Sequence, residues 1–192
     1  MEYKEALKET IINLLLSTDR PGMIPLVEFM KQEGFFISPC SSDHHCAYYG
    51  GLAEHSFNVY KIMLKLAPLI CPKEPMDSLI IVSLLHDLGK IGAYHKPNYI
   101  LNILKSGEVS QSKRYKTNPE LDYEEHEIRS LTHACRFISL REEEYTAILH
   151  HNGLFGKLDS SYGNHNFDSN RLAFALHTAD MYCSRFLEKG DI

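Results

Sequence analysis

The sequence predicts an all-α bundle carrying one small β-hairpin, and three observations predict it. Apolar residues recur at helical spacing, first as Leu7, Ile11, Leu14 and Leu15, the pattern of a helix with one face turned to a core. Prolines and glycines punctuate the helical segments at Gly34, at Pro68, Pro72 and Pro75, and at Gly89. Only the stretch from Tyr99 to Lys116 departs from the helical rule. There Ile100, Leu101, Ile103 and Leu104 precede Lys105-Ser106-Gly107-Glu108, and Val109 follows, which reads as a β-hairpin insertion about a tight turn over residues 99–116.

Taken in order, the first helix starts near the N-terminus. The opening Met1-Glu2-Tyr3-Lys4-Glu5 is charged and amphipathic, so no signal peptide is expected. A short helix over Met23 to Lys31 stops at Gly34. Phe35 to Gly51 has no period and is rich in Ser, His, Tyr and Gly, so it reads as a loop. Gly50-Gly51 opens a helix from Leu52 to Leu66 that sets His55, Val59 and Met63 on one stripe. The three prolines break the chain before a helix from Met76 to His86, with Gly89 as its end. After the hairpin, a helix over Tyr123 to Ile138 is followed by Ser139 and Glu142, which have capping-box spacing. The helix they start ends near His151-Asn152-Gly153. Phe155 to Asn166 reads as a loop, and the last helix runs from Ser169 to Leu187. No repeat or linker divides the chain. One domain over 1–192 is expected, with a core at about 45–188 and N-terminal helices 1–34 packed on it.

Composition bounds the function. A chain of 192 residues with 44% hydrophobic and 23% charged residues can bury a core and reads as an ordinary globular protein. A net charge of −5 argues against a general nucleic-acid coat. The longest apolar stretch, Leu79 to Leu85, is too short to span a bilayer. Cys40, Cys46, Cys71, Cys135 and Cys183 are odd in number and contain no CxxC pair. Reduced thiols in a cytoplasm are expected, not a disulfide frame.

The chemistry resides in His55, His86-Asp87, His126, His150-His151 and Asp180, an imidazole and carboxylate mix suited to hydrolytic divalent-metal sites. His86-Asp87 ends a run of Leu, Ile and Val, where an unpaired charge is costly. An Asp at a helix C-terminus also opposes the dipole, and a bound cation would resolve both. Each residue alone has a plain alternative. His55 could be a core histidine, His126 sits in the acidic run Glu124-Glu125-His126-Glu127, and His150-His151 ends a helix where the dipole favours His. Asp180 could form a buried salt bridge. Co-occurrence on separate helices is what favours a shared inward-facing site.

These residues resemble the HD-domain metal-dependent phosphohydrolase superfamily, whose pattern is H…HD…D on a helical core. Leu84-Leu85-His86-Asp87-Leu88-Gly89-Lys90 is the most specific match. Tyr48-Tyr49-Gly50-Gly51-Leu52-Ala53-Glu54-His55-Ser56 is similar to the first helix of HD domains attached to bacterial 3′-to-5′ exoribonucleases and some conjugation proteins. The resemblance implies a first metal on His55, His86, Asp87 and Asp180. It further implies a second metal bridged by Asp87 and held by His126 and one or both of His150 and His151, with His151 favoured. Asn152-Gly153-Leu154 stands where HD-GYP members carry Gly-Tyr-Pro, so cyclic dinucleotide hydrolysis is not implied.

The expected chemistry is phosphomonoesterase or phosphodiesterase hydrolysis of a nucleotide or related small phosphate ester by metal-activated water. Asp87 would act at the metals, with Lys90 and Arg129 as further catalytic candidates toward phosphate. Arg129 lies one turn from His126 and could instead pair with Glu125. One or two divalent ions are expected: Mn, Fe, Co, Ni or Zn, with Mg the poorer fit to imidazole. The partner is a small phosphorylated substrate, with no membrane and with a homodimer left open. Nucleic acid is less favoured, because Lys105, Lys113, Arg114 and Lys116 form the one basic stretch. The rival readings are a nuclease on single-stranded ends, a non-catalytic nucleotide-sensing module, and a di-iron oxygenase.

Overall fold

The computed structural model describes residues 2–153 and 167–188. Seven helices of nine or more residues carry the described fold: α1 (Glu2–Leu16), α2 (Met23–Gln32), α3 (Gly51–Ile70), α4 (Met76–Leu85), α5 (His126–Cys135), α6 (Glu142–His150) and α7 (Arg171–Tyr182). A 3-10 turn, Leu88–Ile91, follows α4, and a π-helical turn, Cys183–Leu187, follows α7. No described helix is long and apolar enough to cross a membrane.

Helix α4 is the axis of the bundle. Every residue from Ser78 to Leu85 is buried, so the apolar run is not one face of a surface helix but a helix enclosed all round. It packs on α1, α3, α6 and α7. Each of its buried Leu, Ile and Val side chains contributes about 1.5–3 kcal/mol on leaving water. Its last turn delivers His86 and Asp87 into the middle of the bundle. One contiguous core joins Leu7, Ile11 and Leu15 of α1 with Leu84, Leu85, Ile148 and Leu176.

The hairpin forms as two antiparallel strands, β3 (Tyr99–Leu101) and β4 (Tyr115–Thr117), with Ile100 opposite Lys116 and a further bridge between Ile103 and Val109. A smaller pair absent from the sequence reading, β1 (Gly92–Ala93) and β2 (Lys96–Pro97), precedes it.

Four local expectations are corrected. Helix α3 does not stop at Leu66 but continues through Pro68 to Ile70. Pro68 and Leu64 lie on the exposed flank, where water can satisfy a carbonyl that has lost its N–H partner. Gly89 does not end α4; it lies inside the 3-10 turn, where a β-carbon would stand 2.2 Å from the His126 carbonyl oxygen. Its role is close approach to α5. The capping box is not Ser139 with Glu142. Glu144 instead accepts from the Arg141 N–H at 2.9 Å, while also accepting from Ser78 Oγ at 2.6 Å and from the Arg20 guanidinium at 2.8 and 2.9 Å. This buried carboxylate ties the α1–α2 loop, α4 and α6 together. Finally, α5 starts at His126 and the last regular α-helix ends at Tyr182. The expected loop at 155–166 lies outside the described residues.

Candidate metal centre

Four histidines and two aspartates, carried on α3, α5 and α7 and just past the ends of α4 and α6, converge in one cluster. His55, His86, Asp87 and His151 are at most 1% exposed. The side chains of Asp180 and His126 remain 16% and 23% exposed, so the cluster opens to solvent on their side.

Asp87 sits between two groups. Its Oδ2 lies 3.4 Å from both His55 Nε2 and His86 Nε2. Those two nitrogens are 3.3 Å apart, and Asp180 Oδ1 is 3.1 Å from His55 Nε2. Its Oδ1 lies 3.3 Å from His126 Nε2 and 3.4 Å from His151 Nε2, which are themselves 3.3 Å apart. The same carboxylate therefore closes two ligand groups, His55–His86–Asp87 and Asp87–His126–His151.

The far ring nitrogens explain why every Nε2 faces inward. His86 Nδ1 donates to the Ser83 carbonyl at 2.9 Å, and His151 Nδ1 donates to the Ile148 carbonyl at 2.7 Å. A carbonyl only accepts, so Nδ1 carries the hydrogen and Nε2 of the neutral ring presents a lone pair. His126 Nδ1 stands 3.3 Å from Glu127 Oε2. His55 is held at both nitrogens, since Nδ1 donates to Glu188 Oε2 at 2.8 Å while Nε2 faces Asp180. Asn58 Nδ2 donates to the other Glu188 oxygen at 2.9 Å.

This arrangement fits a cation on three counts. Lone pairs and carboxylate oxygens aimed at one another across 3.3–3.4 Å repel unless positive charge lies between them. Ligands about 2.1 Å from one ion stand about 3.0–3.4 Å from each other in octahedral to tetrahedral geometry, which matches the spacing seen. Asp87 Oδ1 is also a buried carboxylate oxygen without a hydrogen bond, an expensive state unless compensated.

Electrostatics agree. Burial works to raise the Asp87 carboxyl, but Lys90 and His86 outweigh it and hold it well below the ordinary range. Burial opposes protonation of His55, yet Asp180 and Glu188 prevail and raise it to about 10. Proton and metal therefore compete for the same Nε2. For His86 burial outweighs the opposing pull of Asp87 and holds the ring below its ordinary value. For His151, burial again pushes down and Asp87 pushes it up further.

Of the site residues expected from sequence, His55, His86, Asp87, His126, His151 and Asp180 come together. Lys90 joins them, its Nζ donating to Asp87 Oδ2 at 2.7 Å. His150 does not join; it is half-buried on α6, one residue before the turn that swings His151 inward. Arg129 does not reach the cluster either. Its guanidinium is buried and donates to the Gly89 carbonyl at 3.3 Å, Asn98 Oδ1 at 3.0 Å and the Asp122 carbonyl at 3.3 Å. Glu124 Oε2 stands 3.4 Å from its Nε. It fastens α5 to the 3-10 turn and the segment beyond it. Sequence reasoning missed Glu188, Asn152 and Glu127. Asn152 Nδ2 donates to Glu127 Oε1 and approaches His126 Nε2 at 3.2 Å. His45, on the aperiodic loop before α3, packs its ring 4.8 Å from that of His55.

Two small clefts border the cluster. One of about 140 Å³ is lined by His151, Asn152, His177 and Asp180, and one of about 200 Å³ by Asn98, Tyr99, Asp122, Glu124 and His126. A larger cleft, about 960 Å³, lies between α2, the β1–β2 turn and α5, and takes in none of the clustered histidines or aspartates.

No curated protein and no solved structure matched the sequence. The HD domain family model does match, over residues 52–178, a span that contains His55, His86-Asp87, His126 and His151 and stops two residues before Asp180. With a helical bundle and a histidine–aspartate cluster able to hold metal, the chain belongs to the HD-domain superfamily of metal-dependent phosphohydrolases.

Proposed function

We propose that this protein hydrolyses a phosphate ester of a nucleotide or a related small molecule. In this reading His55, His86, Asp87 and Asp180 hold one divalent ion, and His126 and His151 hold a second that shares Asp87. The observation that carries it is the placement of Asp87, with each carboxylate oxygen facing its own pair of imidazole nitrogens. A bound divalent ion supplies Lewis acidity and brings the pKa of water toward ~7. The mixed nitrogen and oxygen donors suit Mn, Fe, Co, Ni or Zn better than Mg.

The chain's own groups do the rest. Lys90, with 13% of its side chain exposed, holds its ammonium at the edge of the cluster, ready to stabilise charge on a phosphoryl oxygen. Burial opposes its charge, but Asp87 prevails and keeps it protonated. Asn152 offers a donor beside His126. Arg129 acts from behind, by setting α5 and so His126. The small clefts and the acidic Asp122 and Glu124 beside His126 favour a small substrate over a nucleic-acid strand, whose phosphates they would repel.

The test is a metal-supplemented screen over nucleoside mono-, di- and triphosphates, cyclic nucleotides and short oligonucleotides. Turnover of a small phosphate ester, lost in Asp87→Asn with the fold retained, is expected. Turnover confined to oligonucleotides would establish the nuclease, and tight binding without turnover the sensor. Full activity in Asp87→Asn would refute the site.

A further inference from the structure

Cys40 lies on the aperiodic loop before α3, yet its side chain is fully buried. The loop is stitched in place: Cys40 N–H donates to the Cys46 carbonyl at 3.0 Å, Gly50 N–H to Ile37 at 2.9 Å and Leu52 N–H to Ser38 at 3.0 Å. Ser41 Oγ accepts from the His44 N–H and donates to the His45 carbonyl, both at 2.9 Å. This framework aims two side chains at the first ligand group. Cys40 Sγ is 3.5 Å from His45 Nε2, and 3.7 Å from both Asp87 Oδ2 and Lys90 Nζ. Cys40, His45 and His55 each present a ligand atom, all within 4.8 Å of one another. A thiol that merely filled the core would have apolar neighbours. This one faces an imidazole, a carboxylate and an ammonium.

The geometry points to Cys40 as a thiolate ligand, seconded by His45, that adds sulfur to the His55–Asp87 metal position and biases it toward thiophilic ions. The inference rests on the metal reading proposed above. Thiolate and imidazole favour Zn, Co and Fe, whereas Mn and Mg prefer oxygen. Only the thiolate binds a metal, so coordination must displace the thiol's proton. As the metal–sulfur bond forms, the S–H bond breaks and its proton passes to solvent. No electron changes hands. Cys46 makes a useful contrast: it is buried nearby, but its sulfur accepts from Tyr48 Oη at 3.4 Å and belongs to no such group among the described residues.

The experiment is cobalt substitution of the full chain. Bound cobalt is counted by elemental analysis, and sulfur-to-cobalt charge transfer is read in the near-ultraviolet. The expected result is a charge-transfer band in the wild type that disappears in Cys40→Ala and Cys40→Ser and persists in Cys46→Ala. In chelator competition, Cys40→Ser should lose about tenfold or more of its retention of cobalt or zinc, with manganese little changed. Cobalt retained without a charge-transfer band overturns the thiolate ligand while leaving the phosphohydrolase site standing. A band that survives in both Cys40 variants overturns it as well. Failure to retain any cobalt, zinc or manganese overturns the underlying metal reading.

Discussion

Gly89→Ala separates the packing of the site from its chemistry. Gly89 is buried in the 3-10 turn against α5. A β-carbon there would stand 2.2 Å from the His126 carbonyl oxygen, 2.7 Å from Ser130 N and 2.9 Å from Arg129 Cβ. Ordinary contact begins at 3.4 Å, so the first turn of α5 must retreat by the difference, about 1.2 Å, and backbone cannot rotate aside as a side chain can. The retreat also strains the bond from Gly89 N–H to Ser130 Oγ, 2.7 Å long. Overpacking of this kind costs about 1–3 kcal/mol. At 2 kcal/mol, a domain of this size loses roughly 4–8 °C in Tm. His126 opens α5 and stands 3.3 Å from Asp87 Oδ1, so a shift near 1 Å spoils the His126–His151 pair while leaving His55, His86 and Asp180 in place. Urea denaturation and metal analysis after dialysis should show a lower midpoint and a reduced metal-to-chain ratio that does not reach zero. An unchanged midpoint with an unchanged ratio would show that α5 is not held by this contact, and the account of Gly89 would be wrong.

Four other outcomes are expected. His126→Ala should lower the metal-to-chain ratio while His150→Ala leaves it unchanged; equal losses would place His150 in the site. Glu188→Gln removes the anion from His55 Nδ1 and should weaken metal retention about 10–100-fold in chelator competition, and unchanged retention would reduce Glu188 to a packing contact. Arg20→Ala should cost about 3 kcal/mol at neutral pH, because it strands the buried Glu144 carboxylate. Burial favours the neutral Glu144 acid, but Arg20, Ser78 and the Arg141 N–H prevail and hold it below 4.5. Its stabilisation is therefore complete above about pH 4.5 and fades as pH falls through the lowered value. The stability gap between wild type and Glu144→Gln should narrow in acid, and a gap independent of pH would contradict this.

What could be read from sequence divides along physical lines. His86-Asp87 was legible because an ionisable pair at the end of an enclosed apolar helix demands compensation. His55 and Asp180 were legible from ligand type and order. The choice between His150 and His151 depends on where α6 unwinds, which adjacent identical residues cannot disclose. Arg129 was correctly placed near His126 by helical spacing, but spacing does not say which carbonyls a guanidinium will find. The capping box was misplaced because Glu144 is selected by Arg20 and Ser78, partners 124 and 66 residues away. Cys40 and His45 sit on a loop without period, where no pattern links a residue to the core.

The π-helical turn at Cys183–Leu187 does more than extend α7. In an unbroken α-helix at 100° per residue, Glu188 would lie about 80° around the axis from Asp180, too far round for both to address one imidazole. Widening five residues to about 4.4 per turn brings it back to within roughly 10–20° of Asp180. The His55 ring is thereby gripped on both nitrogens by carboxylates from the same rod. Regularity and function are opposed at this point as long as all five residues are kept: rewinding Cys183–Leu187 into regular α-helix would carry Glu188 about 80° away from the ring it steadies, whereas deleting one of them would make a regular helix that leaves it within about 20° of Asp180.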